Sequence, residues 1–297
     1  MRVAVTGGAG FIGRPVVRQL REAGHEVQVL DIQSRDDRDL RVDVLDYHDV
    51  RATLAGAEVV YHLAGPVLEM SRRDPYNSSR LQFQGTLNVL EASIAEDVSK
   101  LILASSFYVY DGIAPEDIVN EYSPLSPSRM ELFGALKVMA EQLTLAYSRQ
   151  FGLAYVILRF GSAFGVGEGS NLIQTFFDAG LAGKSLEIWG PGKRLNQYTF
   201  IEDLAAGCVL ALDAKNEIVN LISPEETSTG EVARLMEERY GFTTQFHLDK
   251  PEGASVPYMS SRKAVRELGW EPTALVDALD RLHSELRETK PTRSVAS

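Results

Sequence analysis

A glycine-rich segment near the amino terminus has the residue types and spacing to bind a phosphate. It follows the apolar run Val3–Val5, and a helical apolar pattern begins directly after it. Glycines let a backbone approach a pyrophosphate closely, and the N–H groups at the start of the helix then hold the anion. The residues of this predicted dinucleotide-binding turn are Gly7, Gly10, Phe11, Ile12 and Gly13.

A single acidic residue indicates which dinucleotide binds. A second apolar run, Val27–Leu30, ends in Asp31. In a strand–helix–strand unit, an acid at this distance from the glycine turn accepts hydrogen bonds from the hydroxyl groups of an adenosine ribose. The same negative charge would repel a 2′-phosphate. We therefore expect NAD, and not NADP, as the cofactor.

Apolar runs of strand length alternate with helical patterns in the first half of the chain, and this alternation sets the predicted fold. The predicted strands are Val3–Val5, Val27–Leu30, Val59–Leu63, Leu101–Ala104 and Tyr155–Phe160. The predicted helices are Gly13–Ala23, His48–Ala55, Asn77–Ala95 and Met130–Phe151. The pattern predicts an α/β fold with a doubly wound, Rossmann-like parallel sheet, whose ligands gather at the carboxyl ends of the strands.

The character of the chain changes after Gly165, where short helices and loops rich in glycine, proline and charge follow. We expect residues 1–165 to form an NAD-binding domain and residues 166–297 to form mostly a smaller, mixed α/β substrate-binding cap. The segment of about 196–222 is expected to return to the first domain. Two further helical patterns, Ser261–Leu268 and Leu275–Leu286, end the predicted cap.

Composition narrows the class of protein. The 297 residues carry a formal net charge of −11, which argues against a nucleic-acid partner. No apolar run is long enough to span a bilayer, and no signal peptide precedes the first strand, so we expect a cytoplasmic protein. The single cysteine, Cys208, lies in an apolar helical pattern and is expected to be buried. The histidines lack metal-ligand spacing, so no metal site is predicted.

Further motifs follow in order along the chain. They are Asp43-Val44, Tyr61-His62-Leu63-Ala64-Gly65, Gly85-Thr86-x-Asn88, Ser105-Ser106-x-x-Val109-Tyr110, Lys137, Gly190-x-Gly192, Asp203-Leu204 and Leu268-Gly269-Trp270-x-Pro272. With the glycine turn and Asp31, they resemble the extended short-chain dehydrogenase/reductase family, in particular its NAD-dependent nucleotide-sugar epimerases and dehydratases. The resemblance covers nearly the whole chain.

The resemblance implies further cofactor contacts, a substrate and a quaternary structure. The cofactor-binding residues that it adds are Asp43, Val44, Leu63, Ala64, Gly65 and Lys137, the last of these on the nicotinamide ribose. It implies transient hydride transfer to NAD from a nucleotide sugar or a similar polyhydroxylated metabolite. It also implies a homodimer formed through the helices Asn77–Ala95 and Met130–Phe151.

Position 133 departs from the family's catalytic pattern. The family places a tyrosine four residues before the lysine, because one helical turn puts both side chains on the same face and the ammonium then lowers the pKa of the phenol. Here the pair is Phe133 and Lys137. Phenylalanine cannot carry a proton, so three interpretations stay open: an enzyme that has moved its acid/base group elsewhere, an NAD-binding non-redox enzyme or regulatory protein, and an engineered Tyr-to-Phe variant of an active epimerase or dehydratase.

Two residues near the end of the fourth predicted strand are candidates for the missing proton transfer. Ser106 matches the family's hydroxyl residue that hydrogen-bonds the reacting group, and Tyr108 stands where related dehydratases carry an acid. We predict that Tyr108 replaces the lost phenol if Lys137 or the cofactor's positive charge lowers its pKa. The alternative is that Tyr108 is an aromatic packing residue.

The substrate end of the predicted site also departs from the family. Ser162 stands where family members commonly have a substrate-binding asparagine, and Asn196 stands where they have an arginine that binds the diphosphate. Arg194 lies two residues before Asn196. Since residues i and i+2 of a strand share a face, Arg194 could bring a guanidinium to the same pocket, or it could be an ordinary solvated loop residue.

Overall fold

The computed structural model describes residues 1–33, 39–167 and 171–289. The strands of these residues are β1 (Arg2–Thr6), β2 (Glu26–Leu30), β3 (Val59–His62), β4 (Lys100–Ser106), β5 (Ile118–Val119), β6 (Ala154–Phe160), β7 (Ser162–Phe164), β8 (Leu186–Trp189), β9 (Leu195–Phe200), β10 (Glu217–Leu221), β11 (Glu226–Ser228), β12 (Thr244–His247) and β13 (Tyr258–Met259). The helices are α1 (Gly13–Glu22), α2 (Tyr47–Leu54), α3 (Leu68–Arg73), α4 (Pro75–Ala95), α5 (Leu132–Phe151), α6 (Leu172–Leu181), α7 (Ile201–Leu210), α8 (Thr229–Tyr240) and α9 (Leu275–Thr289). Short 3₁₀ turns cover Phe107–Tyr110 and Pro127–Arg129, and a π turn covers Ala264–Leu268.

The main sheet confirms the predicted doubly wound architecture. Its strands are all parallel and lie in the order β2-β1-β3-β4-β6-β10. The chain adds β2 on one side of β1 and then crosses back to place β3 on the other side. Connections that diverge in this way open a crevice at the carboxyl ends of the strands, which is where open α/β sheets bind ligands.

Smaller sheets build the second part of the molecule. Strand β9 pairs with β7 and β11, β8 pairs with β12, and β13 pairs with β5. Helices α6, α8 and α9 bury an apolar cluster against β8 and β9 that includes Phe176, Phe177, Met236 and Leu279. Strand β10 lies at the edge of the main sheet, so the chain returns to the first part after building β9. Residues 168–170 and 290–297 of the predicted cap lie outside the described residues.

Several predicted elements differ from the observed ones. The predicted strands did not include β10, and the predicted helices did not include α3. Helix α5 begins at Leu132 and not at Met130, because the backbone of Glu131 is extended. Within the predicted helix Ser261–Leu268, the structure has a π turn over Ala264–Leu268. These short or edge elements carry weak periodicity, and tertiary contacts decide their conformation.

Cys208 is buried in α7, as predicted. Its carbonyl accepts a hydrogen bond from the hydroxyl of Tyr61 at 2.8 Å, and burial raises the pKa of its thiol. The thiol is therefore held in its unreactive protonated form. Among the helices of the described residues, none combines the length and apolar character needed to cross a bilayer.

Candidate active site

The glycine turn lies between β1 and α1 and packs directly against the turn after β3. Gly7 has a φ of +72°, and its N–H donates to the carbonyl of Leu30 at 2.8 Å. A Cβ on Gly7 would lie 2.6 Å from the backbone nitrogen of Ala64, and one on Gly13 would lie 2.1 Å from the carbonyl oxygen of Gly7. No side chain caps the start of α1, and its first turn holds no acidic residue. The helix therefore begins with backbone donors that a bound anion can use.

Asp31 joins the end of β2 to this turn. One of its carboxylate oxygens accepts the N–H of Ala9 at 3.0 Å, and the other accepts the N–H of Gln33 at 2.8 Å. Each carboxylate oxygen has a second lone pair, so the group can still accept hydrogen bonds from a diol. The geometry fits an acid that is held in place by the same backbone that forms the anion cradle.

The segments predicted to border the adenine and the middle of the cofactor are held by polar contacts. Asp43 is exposed and accepts the N–H of Leu45 at 2.9 Å, while the carbonyl of buried Val44 accepts the side-chain amide of Asn88 at 2.9 Å. After β3, the N–H of Ala64 donates to the hydroxyl of Thr6 at 3.3 Å. Leu63, Ala64 and Gly65 are all half-buried.

A buried polar chain leads from the glycine turn toward Lys137. The ring of His62 hydrogen-bonds Thr6 at 2.8 Å and Thr86 at 3.3 Å, and Thr86 also accepts the side-chain amide of Gln82 at 3.1 Å. Burial, with the nearby charge of Lys137, lowers the pKa of His62 to about 3, so the ring is neutral. The side-chain oxygen of Gln82 has no donor among the described protein groups. Sequence reasoning missed Gln82, although its spacing of four from Thr86 places both on one helical face.

Ser106 and Tyr108 lie where β4 ends. The hydroxyl of Ser106 accepts the N–H of Tyr108 at 3.4 Å, and the ring of Tyr108 packs edge-on against Phe133 with centroids 5.3 Å apart. A cavity adjoins Tyr108 and is also lined by Phe107, Asp111, Val256 and Met259. Of the two predicted candidates, Tyr108 therefore borders this open space.

The electrostatic environment of Tyr108 differs from the expected one. Burial raises the pKa of its phenol, and the positive charges of Arg72 and Arg194 oppose this effect without reversing it. The predicted role of Tyr108 required Lys137 or the cofactor's positive charge to lower this pKa. In the protein alone, Lys137 is not among the groups that shift it, and the role of Tyr108 in proton transfer stays a prediction.

Phe133 and Lys137 share one face of α5, one helical turn apart, as the spacing predicts. Both are buried, and the ammonium nitrogen of Lys137 lies 5.6 Å from the centroid of the Phe133 ring. This nitrogen donates to the carbonyl of Ala104 at 3.3 Å. Burial lowers the pKa of Lys137 to about 8, although the charge of Glu141 acts in the opposite direction.

A buried ion pair lies beneath these residues and was missed by the sequence reasoning. Arg159 of β6 donates two hydrogen bonds to the carboxylate of Glu141 in α5, at 2.9 and 2.8 Å. Ser105 donates to the same carboxylate at 2.5 Å, and Arg159 also donates to the hydroxyl of Tyr110 at 2.8 Å. Burial opposes the charged form of Arg159, but the hydrogen bonds and charge of Glu141 raise its pKa. The spacing of four residues places Lys137 and Glu141 on one face of α5, but it gives no signal of the partner of Glu141 in β6.

The predicted substrate end contains Ser162, Asn196 and Arg194. Ser162 begins β7 and pairs in register with Tyr198 of β9. Arg194 is exposed, and its side chain donates to the carbonyl of Ala254 at 3.1 Å. The charge of Arg194 and a hydrogen bond from Asn196 both oppose the effect of burial, which raises the pKa of Tyr198. Arg194 and Asn196 therefore both act to lower the pKa of Tyr198, and the charge of Arg194 also acts to lower the pKa of Tyr108.

No group of histidine, cysteine and acidic side chains in the described part of the chain has an arrangement that could hold a metal ion. The glycine turn thus offers backbone donors that could hold an anion, and the buried amine of Lys137 contacts β4, at whose end Ser106 and Tyr108 carry hydroxyl groups. Such an arrangement can hold a dinucleotide and move a proton beside it.

The sequence is similar to a known family of enzymes. The profile of the NAD-dependent epimerase/dehydratase family matches residues 3–222. A protein of Methanocaldococcus jannaschii with the provisional name UDP-glucose 4-epimerase is 31% identical over 290 residues, which are 91% of this chain and 93% of that protein. A UDP-N-acetyl-alpha-D-glucosaminuronate decarboxylase of Bacillus cytotoxicus is 30% identical over 254 residues, which are 78% of each chain.

The fold is similar to solved structures over its full extent. The crystal structure of UDP-glucose 4-epimerase from Thermotoga maritima with UDP-glucose superimposes with a TM-score of 0.88 at 26% identity. The match covers 97% of this chain and 99% of that chain. The similarity therefore includes the main sheet and the smaller sheets above it.

Proposed function

We propose that this chain, which belongs to the NAD-dependent epimerase/dehydratase family, oxidises and reduces a uridine diphosphate sugar in an epimerase-type or dehydratase-type reaction. The observation that carries the proposal is the crevice itself. An anion cradle with a paired acid, Gly7–Gly13 and Asp31, lies at one end, and the buried amine of Lys137, which donates to the carbonyl of Ala104 in β4, lies at the other. The relatives named above act on or bind UDP-sugars, which supports that substrate class.

The residues of the crevice fit NAD. A Cβ would fill the cradle at Gly7 and Gly13, and the buried oxygen of Gln82 still needs a donor. We assign the pyrophosphate to the glycine turn with Phe11 and Ile12, and the adenosine ribose to Asp31. The remaining contacts are assigned to Asp43, Val44, Leu63, Ala64, Gly65 and Lys137. When bound, NAD supplies a reversible hydride acceptor for a carbinol carbon of the sugar.

The protein's own groups position the sugar and its reacting hydroxyl. Ser106 and Tyr108 offer hydroxyl groups above the end of β4, and Phe133 offers only an apolar surface. We assign the nucleotide diphosphate end of the substrate to Ser162, Asn196 and Arg194. The guanidinium of Arg194 is exposed and supplies the positive charge that a diphosphate requires.

A second candidate function is favoured by one observation. Phe133 removes the phenol on which the family's proton transfer depends, and the nearest phenol, Tyr108, has a raised pKa. A protein that binds NAD and a nucleotide sugar without redox chemistry would show the same features. Turnover separates the two functions.

The function is tested by identifying what the purified protein retains and converts. We expect denaturation to release NAD, and not NADP, because the carboxylate of Asp31 repels a 2′-phosphate. Mass spectrometry identifies the released compounds. Incubation with UDP-glucose, UDP-glucuronic acid and UDP-N-acetylglucosaminuronic acid should give an isomeric, dehydrated or decarboxylated product from at least one of them.

The outcomes of this test are separable. Retained NAD without conversion of any UDP-sugar would favour the non-redox binding protein. Retained NADP would contradict the role of Asp31. Finding no nucleotide, with none taken up on titration, would overturn the assignment of the cofactor site as a whole.

We also propose a homodimer formed through α4 and α5. These helices pack against each other and leave large apolar side chains exposed, namely Phe83, Leu132 and Phe151. We expect Phe83→Asp to convert a dimer to a monomer in sedimentation velocity, because it places a charge in the apolar contact. Ile118→Asp is the matched control, since Ile118 is an exposed apolar residue of β5 outside these helices. A wild-type monomer, or dissociation by Ile118→Asp alone, would contradict the assignment.

A further inference from the structure

We infer that the amine of Lys137 exchanges the proton with the reacting hydroxyl of the substrate, in the role that a phenol would otherwise have. This inference rests on the proposed function and names its proton acceptor. Lys137 would then be a catalytic residue and not only a ligand of the nicotinamide ribose. The inference is carried by the contacts around its amine, by the convergence of this amine with the buried oxygen of Gln82 at Gly65, and by the absence of an oxygen on Phe133.

The amine of Lys137 has spare hydrogen-bonding capacity. Its side chain is buried, and its hydrogen bond in the protein is the 3.3 Å contact with the carbonyl of Ala104. An ammonium carries three protons, whereas a neutral amine carries two and offers a lone pair. The contact with Ala104 therefore leaves the nitrogen free to donate to, or accept from, a further group.

The amine of Lys137 and the side-chain oxygen of Gln82 converge at the same face of Gly65. A Cβ on Gly65 would lie 3.5 Å from the nitrogen of Lys137 and 3.1 Å from the side-chain oxygen of Gln82. Because Gly65 has no side chain, it does not separate these two polar atoms. The oxygen of Gln82 is buried there without a donor. A hydroxyl placed between them would donate to Gln82 or to a neutral Lys137, and buried polar atoms generally find such partners.

The neighbouring residues offer no better proton acceptor. Phe133 presents carbon atoms alone, with its ring centroid 5.6 Å from the amine. The phenol of Tyr108 has a pKa that burial raises, so it holds its proton at neutral pH. The hydroxyl of Ser106 ionises less readily still. Among Phe133, Tyr108, Ser106 and Lys137, Lys137 is therefore the group that can lose and regain a proton near neutral pH.

The charges around Lys137 allow its neutral form. Glu141 attracts the ammonium, but that carboxylate is already bound by both arms of the Arg159 guanidinium. His62 is neutral, because its pKa lies near 3. Burial is then the largest influence and brings the pKa of Lys137 to about 8. Buried lysines commonly serve as general bases for this reason.

The proton transfer balances in both directions. In the oxidation, the O–H bond of the sugar breaks and its proton goes to the neutral amine. The electron pair of that bond forms the carbonyl as the C–H bond breaks and its hydride leaves for the cofactor. In the reduction, the hydride returns to carbon and the ammonium gives a proton back to oxygen. No further reactant is consumed.

The first test is a direct titration of the lysine, which does not depend on turnover. In protein labelled with ¹³C at the lysine ε-carbon, the NMR signal that disappears in Lys137→Arg identifies Lys137. We expect it to titrate near pH 8. Between pH 8 and the ordinary lysine pKa of 10.5, the unfolded chain binds more protons than the folded one. The free energy of unfolding of the wild type, relative to that of Lys137→Met, should therefore rise with pH in this range. A lysine that stays charged up to pH 10 would overturn the inference.

The second test separates binding from proton transfer. Lys137→Arg keeps a cation but cannot lose a proton at working pH. We expect it to retain NAD within about tenfold of the wild type and to lose about 10²–10⁴-fold in kcat. The kcat/KM of the wild type should rise with pH, and the apparent pKa of this rise should equal the pKa of Lys137 measured by NMR. Exogenous primary amines should restore turnover to Lys137→Ala, with rates that depend on the pKa of the amine.

The outcomes distinguish this inference from the proposed function. If the wild type converts no UDP-sugar, the proposed function fails, while the NMR titration still reports on Lys137. If Lys137→Arg keeps turnover within tenfold while Tyr108→Phe loses a hundredfold, the proton acceptor is Tyr108 and the inference is overturned. An unrescued Lys137→Ala that has lost its NAD would show that Lys137 holds the cofactor only.

Discussion

We expect the Arg159→Met variant to lose about 3–5 kcal/mol of its free energy of unfolding, because it leaves a buried carboxylate without its cation. Glu141 is 1% exposed, and Arg159 provides two of the hydrogen bonds that its carboxylate accepts. Removal of one partner of a buried ion pair costs more than removal of both, since the remaining charge keeps its desolvation penalty. Urea unfolding at neutral pH measures the loss.

A double-mutant cycle and a surface pair control this prediction. The double variant Arg159→Met with Glu141→Leu should recover part of the stability that Arg159→Met loses. Arg234 and Glu238 form an exposed ion pair in α8, with side chains 58% and 56% exposed. Arg234→Met should therefore cost less than about 1 kcal/mol. Equal losses from Arg159→Met and Arg234→Met would contradict the assigned importance of the buried pair.

The Gly13→Ala variant should lose NAD affinity by at least about a hundredfold, which corresponds to about 2.7 kcal/mol. The added Cβ would lie 2.1 Å from the carbonyl oxygen of Gly7 and 2.6 Å from the Cα of Gly8. Both contacts are with backbone, so no side-chain rotation can relieve them. The turn must open, and the N–H groups at the start of α1 then no longer face the pyrophosphate. Calorimetric titration with NAD measures the change.

Gly24→Ala is the matched control for Gly13→Ala. Gly24 follows the end of the same helix, α1, and a Cβ there would meet nothing within 4 Å, although its φ of +83° makes any substitution strained. We expect Gly24→Ala to lower the unfolding temperature while NAD affinity stays within severalfold of the wild type. Unchanged NAD affinity in Gly13→Ala would show that the glycine turn is not the cofactor cradle.

The buried pair and the proposed base are linked through one helix. Lys137 and Glu141 lie one turn apart in α5, and Arg159 holds the carboxylate from β6. If Glu141 lost this partner, its charge would act more strongly on Lys137 and raise its pKa. The stability variant Arg159→Met should for this reason also move the pH dependence of turnover to higher pH.

Sequence reasoning was strongest where local pattern and local contact coincide. The glycine spacing and the position of Asp31 after β2 predicted a turn and an acid, and the structure joins them by a hydrogen bond from Ala9 to Asp31. The alternation of strands and helices predicted the parallel sheet for the same reason, since each apolar run forms its own element. The spacing of four residues placed Phe133 and Lys137 on one face without knowledge of any other element.

The sequence by itself thus determined the fold class, the glycine turn with its neighbouring acid, and the placement of Phe133 and Lys137 on one helical face. Only the tertiary structure decided which charges surround each titratable group. The predicted role of Tyr108 depended on Lys137 or the cofactor lowering the pKa of its phenol. In the protein, burial raises this pKa, and the opposing charges of Arg72 and Arg194 come from distant segments. The partners of Arg159, namely Glu141 and Tyr110, come from other elements, and local spacing showed only that Gln82 and Thr86 share one face of α4. Electrostatic environment depends on burial and on distances between residues far apart in the chain, and local spacing specifies neither.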